Sequence, residues 1–162
     1  AKARVILDPA PADPKCVSLF PHVDILTPNE TEAAILAGAP PSRLDPREAA
    51  SVAYKLQNEG AGTVIVKLGD QGCVLVEGKR AILMPAPKVN AVDTTAAGDV
   101  FNAALAVALS EGMNLADGCG FANCAAAISV TRPGAQGAVP SRQDVETFAR
   151  SRPLPEPVQL AS

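Results

Sequence analysis

The sequence predicts an α/β layered fold with a mostly parallel sheet flanked by helices, followed by a helical C-terminal half. Three observations predict it. Short aliphatic runs (RVILD, VDILTP, TVIVKLG) alternate with segments that carry full helix-start signals. TVIVKLG is apolar at successive positions, as in a strand covered on both faces. DVFNAALAVALSEG and LADGCGFANCAAAISV then read as two consecutive helices whose alanines and glycines allow close packing.

Taken in order, RVILD is a short strand ended by PAPADP, which no helix could hold. VDILTP is a second strand. In TPNETEAAILAG, Thr27 is a candidate cap, Pro28 fits the first helical position, Glu30 completes a capping box and Gly38 ends the helix. DPREAASVAYKLQNEG repeats the design with Asp45, Pro46, Glu48 and Gly60. CVLVEGKRAILMPA is two strands around Gly78-Lys79. SRQDVETFAR is a final capped helix, and the proline-rich tail over residues 151–162 reads as loose, leaving residues 1–150 as the folded portion.

The chain has 162 residues, enough for one domain with a real core, and 48% of them are apolar. A net charge of −3 without a basic cluster argues against nucleic acid and gives little purchase on anionic membranes. The longest apolar run, Val100 to Leu109, is broken by Asn102 and is too short to span a bilayer. AKARVILDPAPADP lacks the layout of a signal peptide, and a chain that enters a strand almost at once without Met reads as a cut piece of a longer protein. Cys16, Cys73, Cys119 and Cys124 form no Cys-x-x-Cys pair. They read as small buried hydrophobes of a reducing cytosol before they read as a metal or redox site.

Four stretches could carry chemistry. In DTTAAGD, Ala96, Ala97 and Gly98 are the smallest residues at the entry to a helix, so a ligand could approach backbone N–H groups that have no intrahelical partner. An anion such as a migrating phosphoryl group suits that place, and Asp99 beside it could take a proton from an attacking hydroxyl. The alternative is a plain helix start with an acid complementing the dipole. KLGDQG is either a turn against which a nucleotide lies or a plain turn between strands. Asn29 and Glu32, three apart on one helix face, either address metal-bound water and phosphate or are ordinary solvated residues. SVTRPGAQ leaves a helix through a Pro-Gly turn whose carbonyl oxygens suit a hard monovalent cation if Asp93 is near, or it is a simple helix exit. Neither a dinucleotide glycine fingerprint nor a Walker loop is present.

Taken together and in order, ILDPAPA, ILTPNETEA, VIVKLGDQG, VDTTAAGDVFNAALAVAL and AAAISVTRPGAQ…VPSRQDVETF resemble the ribokinase/PfkB family of carbohydrate kinases from Val5 to Phe148. NETEA and VTRPGAQ point to its ribokinase branch. The resemblance implies a ribokinase-like fold truncated at its N-terminal side, with residues 1–150 as its C-terminal nucleotide-binding portion. It implies that Asp99 is the catalytic base facing the sugar hydroxyl, and that Ala96, Ala97 and Gly98 form an anion hole. Asn29 and Glu32 match a motif that organises magnesium and phosphate. Asn29, Lys67, Leu68, Gly69, Asp70, Gln71, Gly72, Gly98 and Asn123 match nucleotide-binding positions. Asp93, Thr95, Ser129, Arg132, Gly134 and Ala138 match positions around an activating potassium ion.

The implied reaction is ATP- and magnesium-dependent phosphorylation of D-ribose at its 5-hydroxyl by a cytoplasmic protein that could form a homodimer when full-length. The isolated 162-residue piece is expected to be inactive. Another sugar or nucleoside kinase of the superfamily, or a non-catalytic nucleotide-binding or interaction fragment, are the competing readings. Two positions depart from the family pattern: Lys67 stands where Thr is common, and Asp8 where Asn is usual. A lysine at 67 could reach the phosphates or simply snorkel.

Overall fold

The computed structural model describes residues 3–160. These form two compact units: one from the described residues of 1–69, 73–83 and 157–162, the other from 70–72 and 84–156.

The first unit is a six-stranded sheet in the order β1 (Ile6–Leu7), β2 (Ile25–Leu26), β3 (Thr63–Lys67), β4 (Cys73–Glu77), β5 (Arg80–Met84) and β6 (Val158–Leu160). β1, β2 and β3 run parallel, with Ile6 opposite Ile25 and Ile25 opposite Thr63. β4 returns antiparallel to β3, and β6 is antiparallel to β5. β2 and β3 are joined through α1 (Glu30–Leu36) and α2 (Pro46–Asn58), and β1 and β2 through a 3-10 segment (Pro14–His22), as crossovers between parallel strands require. The core lies where Leu26, Val64, Val66, Val74 and Val76 meet Ala49, Ala53 and Leu56 of α2.

α2 begins where the sequence places it. The Asp45 side chain accepts from the amides of Arg47 and Glu48, the Glu48 side chain accepts from the Asp45 amide, and Pro46 sits in the first turn. α1 begins two residues later than the Thr27 reading. Its cap is Asn29, and Glu32 completes the box. Thr27 is fully buried at the end of β2, where its amide and Oγ1 both donate to the Leu7 carbonyl, so it has no oxygen turned toward a helix. Residues 14–22, unassigned in the sequence reading, form a 3-10 segment capped by Asp13. The tail expected to be loose contributes β6. Its Val-Gln-Leu triplet pairs with β5, and Gln159 adds a side-chain bond to the Ala81 carbonyl; residues 161–162 lie outside the described residues.

The second unit is helical: α3 (Ala97–Ser110), α4 (Leu115–Ser129) and α5 (Arg142–Arg150). α3 starts two residues earlier than the run of large apolar residues suggests. α3 and α4 approach closely at Gly118, where a Cβ would already stand 3.3 Å from Leu105 Cδ1. Val100, Cys124, Ile128 and Val145 form the core against α5. No helix of the described residues is long and apolar enough to cross a membrane.

Candidate functional site

The entrance to α3 differs from every other α-helix start in the described chain. Asn29, Asp45, Asn114 and Ser141 cap α1, α2, α4 and α5 with a side-chain oxygen. At α3 the cap is Ala96, in the left-handed region at φ 61, and it offers no side-chain bond. No side-chain oxygen therefore covers the leading amides of α3 at the positive end of the helix dipole, although the Ala97 amide donates to the Thr94 carbonyl at 3.3 Å. Ala97 and Gly98 supply the next two residues without bulk, and Asp99 follows, solvent-exposed in the first turn. Ala96 and Asp99 line a cavity of about 460 Å³ together with Val100, Ala104, Phe121 and Val145.

Asp93 ties this entrance to the α4 exit. One carboxylate oxygen accepts from the Thr95 amide at 2.9 Å, and the other from the Gly134 amide at 2.9 Å. Val92 and Asp93 both donate to the Val130 carbonyl. Hydrogen bonding to Thr95 foremost, and to Gly134, lowers the Asp93 pKa to about 2, so it is ionised at neutral pH. Ser129 is buried, with its hydroxyl donating to the Ala126 carbonyl and its own carbonyl accepting from the Arg132 amide. The Arg132 guanidinium is turned to Asp144 at 3.3 Å. The Ser141 amide, with Arg132 assisting, holds the Asp144 carboxyl below its usual range. Ala138 is buried in the same turn. Asp93 thus links Thr95 before α3 to Gly134 after α4, and Ser129 is bonded to Arg132 in the same exit. Asp93 is an ionised carboxylate in this region, and both its oxygens are engaged by backbone amides.

Within the sheet unit, Asn29 and Glu32 bond to each other. The Glu32 side chain accepts from the Asn29 amide at 2.7 Å, and Asn29 Oδ1 from the Glu32 amide at 2.9 Å. Together they form the closed box that starts α1. The described residues hold no group of three or more His, Cys, Asp or Glu side chains able to enclose a metal. A magnesium ion here would fit only as one carried by phosphate oxygens and water, with Asn29 and Glu32 outside its inner ligands.

Lys67 ends β3 beside this box, its amide donating to the Pro28 carbonyl, and its ammonium reaches Asp8 at the end of β1 at 3.0 Å. Sequence reasoning missed that partner. The signal was there in form, an acid closing ILD and a base closing VIVK, but only the strand order makes them neighbours.

Of the remaining nucleotide-turn positions, Leu68 is buried and Gly69 exposed. Asp70 and Gln71 are exposed on the 3-10 turn, and Gly72 is buried at φ +100. Asn123 is buried within the helical unit, where its amide donates to the Met84 carbonyl at 2.8 Å. That bond stays within the helical unit, to which Met84 belongs. The cysteines carry no such geometry. Cys73, Cys119 and Cys124 are buried, and burial pushes the Cys124 thiol up to about 11, so it stays protonated.

A sheet unit whose first three strands run parallel, followed by a helix that opens on small residues without a side-chain cap and with an acid in its first turn, is an α/β fold of the carbohydrate-kinase class. The chain belongs to the pfkB family of carbohydrate kinases, whose pattern it matches over residues 1–142. It is 39% identical over 145 residues to the ribokinase of Haemophilus influenzae, covering 90% of this chain and 47% of that one. It superposes on the crystal structure of ribokinase from Thermotoga maritima with a TM-score of 0.84 at 47% identity, over 93% of this chain and 50% of that one. Arabidopsis thaliana ribokinase, solved in complex with ribose and ATP, gives a TM-score of 0.80 at 35% identity, over 90% of this chain and 47% of that one. The chain thus spans about half the length of the relatives it matches.

Proposed function

We propose that this chain carries the nucleotide, phosphate and catalytic-base part of a sugar kinase, and that the sugar is D-ribose, phosphorylated by ATP at its 5-hydroxyl. The observation that carries the reading is the start of α3 without a side-chain cap, with Asp99 exposed one turn from the Ala96 backbone and both lining a cavity. The Arabidopsis relative, solved with ribose and ATP, supports the choice of both ligands.

Asp99 accepts the proton of the sugar hydroxyl as its oxygen bonds to the γ-phosphorus and the bond from that phosphorus to the ADP oxygen breaks. The amides of Ala96, Ala97 and Gly98 hold the equatorial oxygens of the migrating group. The turn from Lys67 to Gly72 lies along the nucleotide, with the Lys67 ammonium held at its strand end by Asp8. Asn29 and Glu32 fix the start of α1 and would receive waters of a magnesium ion carried by the phosphates. That magnesium neutralises phosphate charge when bound. Asp93 braces the loop before α3 against the loop after α4, and a potassium ion held by its carboxylate and neighbouring carbonyls would stiffen the same junction.

The test is Asp99→Asn in a protein that also contains the half this chain lacks, assayed with ATP and a panel of pentoses and hexoses. Turnover is expected to fall by about 10²–10⁴ while affinity for an ATP analogue is kept. Unchanged turnover removes Asp99 from the chemistry, and a stronger response to another sugar replaces ribose.

A further inference from the structure

The carboxyl ends of β1, β2 and β3 lie on one edge of the sheet unit, the side on which open α/β sheets bind ligands. Asp8 follows β1, Asn29 and Glu32 open α1 just after β2, and Lys67 ends β3. Lys67 Nζ stands 3.0 Å from Asp8 Oδ2, and the two side chains keep only 13% and 25% of their surface exposed. The contact passes over a strand, because β2 lies between β1 and β3. The strands do not depend on it to stay together. Backbone pairing already joins all three, the Lys67 amide donates to the Pro28 carbonyl, and Thr27 bonds to Leu7 through both its amide and its hydroxyl. Apolar side chains would close such a place with less desolvation. The pair also joins the two positions at which the sequence departs from the pattern it resembles. A lysine stands for threonine at 67 and an aspartate for asparagine at 8, so two neutral residues have given way to one charge of each sign. The two changes together leave the net charge of this edge as it was.

We propose that Asp8 sets the nucleotide affinity of this edge: it holds the Lys67 ammonium and cancels its charge, so that phosphates meet a neutral pair and not a free lysine. The proposal rests on the reading of residues 67–72 as the nucleotide turn. With both partners little exposed, removing one leaves a charge that water screens poorly. The sign of that charge then decides the outcome. Without Asp8 the ammonium is released, and its flexible stem lets it turn to a phosphate of the nucleotide. Without Lys67, Asp8 is an uncompensated carboxylate on the same edge as Glu32, and it repels the phosphates. A pair that served only to clamp the strands would respond alike to the loss of either member. A released lysine would also hold ADP more tightly, so the pairing favours departure of the product.

The test is calorimetric binding of a non-hydrolysable ATP analogue with magnesium, in a protein that also contains the half this chain lacks. Asp8→Asn and Lys67→Met stay close in shape to the residues they replace, and each removes one charge. Asp8→Asn should tighten binding and Lys67→Met should weaken it, each by at least about fivefold, the scale on which an unbalanced charge acts across several ångströms at the dielectric of a protein surface. The double variant, neutral again, should return to within about twofold of the parental affinity. Adenosine, which has no phosphate, should bind all the variants alike, and the single effects should shrink as salt is raised. Melting curves confirm that each variant is folded at the assay temperature, and Lys67→Thr removes the same charge where Lys67→Met is unstable. The proposal is overturned if both single variants weaken binding of the analogue, if neither moves it, or if adenosine affinity moves with it. If the parental protein binds no ATP analogue, the nucleotide reading itself falls, and the proposal with it.

Discussion

Gly72→Ala should be among the most damaging single-methyl additions in this chain. Gly72 has φ +100, a backbone setting that L residues rarely adopt, and forcing alanine into such a region costs of order 1–3 kcal/mol. Its Cβ would lie 2.1 Å from the Met84 oxygen, 2.6 Å from the Ala86 nitrogen and 2.8 Å from the Pro85 carbonyl carbon. All three are backbone atoms that no rotamer change can move. The strand end must shift, and the bond from the Ala86 amide to the Gln71 carbonyl is lost, for about 1 kcal/mol more. The total is about 3 kcal/mol. At about 2–4 °C per kcal/mol for a chain of this size, the Tm should fall by about 6–12 °C. Gly69→Ala in the same turn is the control. Its φ is +57 and nothing lies within 4 Å of the added methyl, so about 1 kcal/mol is expected. Urea and thermal denaturation of the two variants side by side read the difference. If Gly72→Ala is no less stable than Gly69→Ala, the close approach of residues 84–86 to this turn is wrong.

Three further outcomes follow from the geometry. Asp93, with a pKa of about 2 against an ordinary 3.8, adds stability that is fully present above about pH 4 and is lost as pH falls toward 2; in Asp93→Asn the urea midpoint should vary less over that range, and an unaltered slope would sever Asp93 from Thr95 and Gly134. Asp8→Ala and Lys67→Met should each destabilise the chain, and the double variant should lose less than their sum by about 1 kcal/mol; full additivity would show that the ion pair contributes nothing. Asn29→Ala should cost about 1 kcal/mol through the α1 cap, whereas Thr27→Ser, which keeps the buried hydroxyl donor, should leave helix content at 222 nm unchanged; a cap at Thr27 predicts the opposite sensitivity.

Local signals were legible wherever one reading satisfied them. Asp45-Pro46-Glu48 admits a single helix start, and Gly78-Lys79 a single turn, and both are found. The segment TPNETE admits two overlapping boxes, Thr27 with Glu30 and Asn29 with Glu32. Only the burial of Thr27 against β1 decides between them, and burial is a tertiary fact. β6 escaped for a related reason. Three residues after a proline-rich stretch carry too little pattern to announce a strand, and the open edge of β5 supplies the rest. At the site, DTTAAGD announced small residues before a helix, but not the left-handed turn at Ala96 or the grip of Asp93 on Gly134, 41 residues away. The Asp8–Lys67 pair spans 59 residues and needed the strand order.

Ala96 is the only described residue other than glycine with positive φ. Its own preference runs against the bend it makes, so the bend is imposed by what surrounds it: the Val130 carbonyl holding residues 92 and 93, and the Gly134 amide holding the Asp93 carboxylate. A synthetic peptide of residues 90–100 would therefore relax to another shape. Anyone transplanting this helix mouth into a designed scaffold must carry the α4 exit along with it.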